Sequence, residues 1–154
     1  MRYLLVDRVT EWEAGRFMAG VKNVTLSEDL FEHHFPRFPV MPGSLLVEAM
    51  VQLAGWLEGA GTDFRRWLLL DHIRSVKYYG FALPGDQVAL RVEAAGEEGG
   101  LRLFKGAAAV EGQRRALAEF AARPVELAGY EDPEAQRALF RVLRREAPFS
   151  DARQ

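Results

Sequence analysis

The sequence predicts an α+β fold in which a curled antiparallel sheet wraps around one long central helix, and three observations carry that prediction. First, the stretch from Gly43 to Leu57 is apolar around its whole circumference, as a helix enclosed by the rest of its protein must be. Second, the segments on either side show the apolar/polar alternation of half-buried strands. Third, the order is two strands, the helix, then four strands, which a single antiparallel sheet curled over one helix satisfies.

The elements follow in turn. Residues 3–9 form a short apolar run bounded by charge, consistent with a strand. Residues 15–24 set Phe17, Ala19 and Val21 against Arg16 and Lys22, the pattern of a half-buried strand, and a hairpin through residues 10–14 joins the two. Ser27, followed by acids, caps a single helical turn within residues 26–31. After the central helix, Gly59, Gly61 and Asp63 mark a break, and residues 65–79 read as one long strand that carries His72 as a structural or surface residue. Pro84, Gly85 and Asp86 make a turn. Residues 87–95, 101–110 and 114–122 then form a meander: Val88, Leu90 and Val92 alternate with Gln87, Ala89, Arg91 and Glu93, and residues 96–100 are a hairpin connection.

The tail differs in character. Asp132 and Pro133 suit an N-cap and first helical position, while Ala135, Leu139, Val142 and Leu143 make an apolar stripe beside Arg137, Arg141, Arg144 and Arg145. Residues 1–128 are thus expected to form one domain and residues 129–154 a C-terminal helical extension. The basic face of that helix is either simply solvated or a docking surface for an acidic partner.

Composition narrows the function. A chain of 154 residues with 49 % hydrophobic content suits one domain with a substantial core. A net charge of −2 argues against a general nucleic-acid binder. The absence of cysteine excludes disulfides, thiolate catalysis and a Cys-based metal site. No basic segment precedes an apolar leader, and Glu48 and Gln52 interrupt the longest apolar run, so a cytoplasmic protein without a membrane span is expected.

The chemistry concentrates between Phe31 and Leu57. Ser44, Glu48 and Gln52 recur at spacing four and so form one line along the helix. A Glu within a wall of Leu, Val and Met is costly to ionise, and burial raises its pKa toward that of a general acid, although a buried ion pair or a bond to Gln52 would fit the same spacing. Pro42 and Gly43 fall where the helix begins, so first-turn N–H groups carry the positive end of the helix dipole, and Gly43 has no side chain to block a carbonyl oxygen. The Gly43 amide is therefore a candidate carbonyl-polarising donor. His34, in the loop just before, is a candidate base, with a packed structural imidazole as its alternative.

The pattern HFPxxPVMPGxLxxEAMxQ, from His34 to Gln52, resembles the active-site signature of the 3-hydroxyacyl-[acyl-carrier-protein] dehydratases of bacterial fatty-acid synthesis. The similarity extends through LLVDRV, KNVT and FALPGDQV and covers roughly residues 3–125. It implies the hot-dog fold and active sites at a dimer interface, with the His of one subunit facing the acid of the other. It also implies His34 as catalytic His, Glu48 as catalytic acid, Gly43 as the backbone donor to the thioester carbonyl and Gln52 as a supporting polar residue. No cofactor or metal is implied. The expected partners are an acyl carrier protein bearing a 3-hydroxyacyl thioester and further copies of the chain, as a homodimer or a larger assembly such as a trimer of dimers. One departure stands beside the catalytic position, where the family usually has Gly and this chain has His33.

A hot-dog thioesterase would hydrolyse the same class of thioester with a carboxylate-activated water. A non-catalytic carrier-binding subunit is the reading that His33, in place of Gly, keeps open. A metal site on His33 and His34 is disfavoured, because adjacent side chains of an extended segment point to opposite faces. The Glu at position 48, where related isomerising dehydratases usually have Asp, leans toward dehydration without isomerisation.

Overall fold

The computed structural model describes residues 4–33 and 37–146. Strands β1 (Arg8–Glu13) and β2 (Phe17–Asn23) precede the short helix α1 (Leu30–His33) and the central helix α2 (Gly43–Gly61). Strands β3 (Arg66–Tyr78), β4 (Gln87–Glu98), β5 (Leu101–Val110) and β6 (Gln113–Glu126) follow, then a 3-10 turn at Leu127–Gly129 and helix α3 (Pro133–Leu143). The six strands make one sheet in the order β1-β2-β4-β5-β6-β3, with every neighbouring pair antiparallel. The sheet packs α2 against β2, β3, β4, β5 and β6, the curled arrangement expected.

The alternation in β4 is realised as read: Val88, Leu90 and Val92 are buried under the helix. Small residues on β5 and β6 let α2 approach closely. A Cβ on Gly106 would lie 2.7 Å from Met50 Sδ, and Ala108, Ala116 and Ala118 are buried beside it. Only short side chains leave this depth for the large ones on the helix.

The first strand differs from the expectation. Leu5 and Val6 are consecutive and both buried, which an alternating strand with one wet face does not allow. That segment instead tucks beside α2, and the strand begins at Arg8, with its turn shifted to residues 14–16 around Gly15 at φ +73°. The central helix also runs beyond its expected break, to Gly61. Gly59 stays helical because its bare backbone admits Trp67 and Phe64, and packing overrides its low helix propensity. Thr62 then ends the helix, its Oγ1 donating to the Glu58 carbonyl at 2.8 Å.

Helix α3 begins as read, with the Asp132 side chain accepting from the Glu134 N–H and Pro133 in the first turn. Its buried face is different: Gln136, Phe140 and Leu143 are enclosed, with Leu139 partly buried, while Ala135 and Val142 are exposed. Phe140 is the anchor. Its ring lies 5.7 Å from Trp12, 5.8 Å from Trp56 and 5.6 Å from Phe64, joining α3 to β1 and to the far end of α2.

Candidate active site at the start of the central helix

Two contacts position the beginning of α2. The Met41 N–H donates to the Ala82 carbonyl at 2.8 Å, tying the incoming loop to the segment after β3. Pro42 then takes the N-cap place with extended backbone, φ −56° and ψ 134°, and offers no side-chain cap. Gly43 is thus the first helical residue, with an N–H that no intrahelical carbonyl can take. Tyr78, from the end of β3, packs against it: a Cβ on Gly43 would fall 2.5 Å from Tyr78 Cε1. A cavity of about 350 Å³ opens here, lined by Val40, Met41, Pro42 and Gly43 on one side and Tyr78 and Phe81 on the other.

Glu48 lies five residues on, about 7.5 Å farther along the helix axis. Gln52 donates through Nε2 to Glu48 Oε1 at 3.3 Å, and accepts through Oε1 from the Leu5 N–H at 2.9 Å. Glu48 and Gln52, two of the three residues in the spacing-four line, are therefore hydrogen-bonded to each other and anchored at the far end in the buried segment before β1. The sequence contained no signal for Leu5, because its contribution is a backbone N–H.

One expectation is corrected. Glu48 and Ser44 are exposed in the single chain and Gln52 is half-buried, so the helix is not enclosed all round and its own chain does not bury Glu48. The sheet wraps the rows that contain Leu46, Met50 and Leu53 and leaves the Ser44–Glu48–Gln52 line open. The adjacent edge is also apolar: β3 borders the sheet and shows Leu70, Ile73 and Tyr78 to solvent. His34 lies outside the described residues, and His33 enters only as the last residue of α1. His72 is exposed on β3, its Nδ1 2.7 Å from Asp71 Oδ2, well placed for the surface role expected of it.

Among the described residues the buried acid is Glu58, nearly three turns beyond Glu48 and 7 % exposed. Its Oε1 lies 3.1 Å from an Arg102 nitrogen and 3.4 Å from Arg66 Nε. Burial pushes the Glu58 carboxyl above its ordinary value, against the opposing pull of Arg102 and Arg66. Among the described residues, no group of three or more His, Asp or Glu side chains converges as metal ligands would.

The arginines of α3 are not one open basic face. Arg137 pairs with Glu134 and reaches the Asp63 carbonyl at 3.0 Å, while Arg144 pairs with Glu146 at 3.0 Å and lies over the Trp12 ring. Arg141 and Arg145 are exposed.

Residues 1–119 match the FabA-like domain family. A protein named 3-hydroxyacyl-[acyl-carrier-protein] dehydratase FabZ from Vibrio cholerae is 40 % identical over 114 residues, spanning 71 % of this chain and 74 % of its own. A FabZ of the same name from Geobacter metallireducens is 40 % identical over 123 residues, spanning 78 % and 82 %. Among solved structures, a hot-dog-like protein from Thermanaerovibrio acidaminovorans superposes with a TM-score of 0.62 at 19 % identity, covering 80 % of this chain and 91 % of its own, a likeness of fold.

Proposed function

The chain belongs to the FabA-like family of 3-hydroxyacyl-[acyl-carrier-protein] dehydratases, and from that premise we propose that it removes water from a 3-hydroxyacyl thioester on an acyl carrier protein to give the trans-2-enoyl thioester. The chemistry rests most on one observation: an N-terminal helix amide at Gly43, with Glu48 farther along the same helix, oriented by a Gln52 that is itself anchored.

The proton on C2 of the substrate is weakly acidic. The Gly43 N–H, at the positive end of the helix dipole, polarises the thioester carbonyl so that negative charge develops on oxygen as the C–H bond breaks. Neutral His34 accepts that proton. The electron pair left on C2 forms the C2–C3 double bond, the C3–O bond breaks, and Glu48 delivers its proton to the departing oxygen, which leaves as water. Gln52 holds the Glu48 carboxyl in register.

Its own chain leaves Glu48 exposed. The reading is therefore a composite site in which a second copy covers the Ser44–Glu48–Gln52 line and brings its His34 to Glu48. The exposed apolar edge at β3 supports a homodimer as the smallest working unit, with larger assemblies built from it. Residues 1–128 are read as the catalytic domain and residues 129–154 as an extension, with Arg141 and Arg145 contributing to carrier docking. No helix among the described residues is long and apolar enough to cross a membrane, and a cytoplasmic location suits a carrier-bound substrate.

The test is turnover of 3-hydroxyacyl thioesters on a carrier protein, followed by enoyl absorbance, for the native chain, His34→Ala, Glu48→Gln and His33→Gly. Activity lost in the first two variants and kept in the third is the expected result. Free thiol without enoyl product would assign a thioesterase instead. A native chain inactive at every acyl length, and restored by His33→Gly, would assign a carrier-binding role. Reversing the charges of Arg141 and Arg145 is expected to raise KM for the carrier-bound substrate, and an unchanged KM would remove carrier docking from α3.

A further inference from the structure

We propose that Tyr78 is a positioning residue for the dehydration: its ring closes one side of the Gly43 amide, so that a thioester carbonyl reaches that amide from one direction and out of water. The inference rests on the function proposed above and adds a residue to it.

The ring is held where this matters. Built on Gly43, a Cβ would lie 2.5 Å from Tyr78 Cε1, 2.7 Å from Cζ and 3.1 Å from Cδ1, so this side of the ring rests directly on the first residue of α2. The contact is pinned from behind by the sheet. Tyr78 pairs with Ala116 of β6, and the next residue, Tyr79, donates its N–H to the Arg115 carbonyl at 2.9 Å. Tyr78 is 53 % exposed in the single chain. It forms one wall of the 350 Å³ cavity in front of the helix, whose other walls are largely apolar: Val40, Met41 and Phe81.

A hydrogen bond to developing oxyanion charge is strongest where water cannot compete for the donor. A flat ring against Gly43 removes the solvent that would otherwise solvate this N–H from the β3 side, and leaves the cavity as the approach. It also changes the reason for glycine at this position. Beyond giving the carbonyl room, Gly43 admits the Tyr78 ring, and any larger residue meets that ring before it meets substrate.

The experiment compares kcat and KM on a carrier-bound 3-hydroxyacyl thioester for the native chain, Tyr78→Phe, Tyr78→Leu, Tyr78→Ala, Gly43→Ala and the double variant Gly43→Ala/Tyr78→Ala, with thermal unfolding of each. Tyr78→Ala is expected to lower kcat roughly tenfold or more, with a smaller change in KM, because the loss falls on transition-state charge. Tyr78→Phe, which keeps the ring, is expected to recover most of the rate, and Tyr78→Leu to lie between. Should Tyr78→Ala not fold, the Phe and Leu variants still order the rates. Gly43→Ala is expected to cost less in the Tyr78→Ala background than alone, since the clash is gone. A Tyr78→Ala variant with native kcat, a Tyr78→Phe variant as slow as Tyr78→Ala, or strictly additive losses at the two positions would each overturn the inference. Native turnover with an unmoved Tyr78→Ala removes this inference alone, whereas a native chain without turnover removes the function it rests on and the inference with it.

Discussion

Replacing Gln52 by Leu separates the two ends of the hydrogen-bonded chain that supports Glu48. Gln52 Oε1 accepts from the Leu5 N–H at 2.9 Å, and Leu5 is 1 % exposed, so the substitution strands a backbone donor away from water. Leaving such a group unsatisfied costs about 1–3 kcal/mol. For a chain of this size each kcal/mol moves Tm by about 2–4 °C, so the expected fall is about 2–12 °C. At the other end, Glu48 loses the 3.3 Å bond from Nε2, and an acid free to turn away from C3 is expected to lower kcat roughly ten- to a hundredfold. Gln52→Glu resolves the two effects, because it keeps an acceptor for Leu5 but puts a carboxylate where the donor to Glu48 was. Its Tm should fall less than that of Gln52→Leu while its kcat falls at least as far. The assays are thermal unfolding by circular dichroism and enoyl formation at saturating substrate. A Gln52→Leu variant with native Tm and native kcat would refute the reasoning.

Gly55→Ala sets helix propensity against packing: alanine is favoured by about 1 kcal/mol in a helix interior, yet its Cβ would lie 2.7 Å from the Trp67 indole, and overpacking of about 1–3 kcal/mol should win. Urea unfolding decides the sign, and a more stable variant would contradict the close approach. Phe140→Ala empties a ring site shared with Trp12, Trp56 and Phe64 and should cost about 3–5 kcal/mol in the same experiment, whereas a loss below 1 kcal/mol would detach α3 from the core. Glu58 gives a pH dependence. Its carboxyl is raised in the folded state, so folding favours its protonated form, and its contribution is full below the unfolded value and is lost as pH rises through the folded one. Relative to Glu58→Gln, which does not titrate, the native chain should therefore lose stability as pH rises upward from 4.5, and a native chain that gains on the variant over that range would show Arg102 and Arg66 outweighing desolvation.

The parts of the fold that sequence conveyed are those where one residue's pattern decides its place. The alternation of Val88, Leu90 and Val92 gave β4, and the apolar run after Gly43 gave the central helix. What it did not convey depends on partners distant along the chain. Leu5 and Val6 look like a strand until both are seen to be buried beside α2. Gly59 looks like a helix end until Trp67 and Phe64 are seen to need its missing side chain. In α3 the spacing of Gln136, Leu139, Phe140 and Leu143 fits one face, but a polar Gln within it made the Ala135 and Val142 stripe the more apolar choice. At the site, the line of Ser44, Glu48 and Gln52 was legible from spacing alone. Its exposure was not, since a helix apolar on most sides gives no sign of whether the remaining face meets its own sheet or another molecule.

That face is the centre of the account, and mixed assemblies of two inactive variants test it most directly. His34→Ala and Glu48→Gln chains, each inactive alone, are unfolded together, refolded and assayed on the carrier-bound thioester. If His34 of one subunit serves Glu48 of the other, each mixed dimer holds one site with both groups intact, and activity returns. If both groups act within one chain, every site in the mixture lacks one of them, and a mixture as inactive as its parents would contradict the composite site.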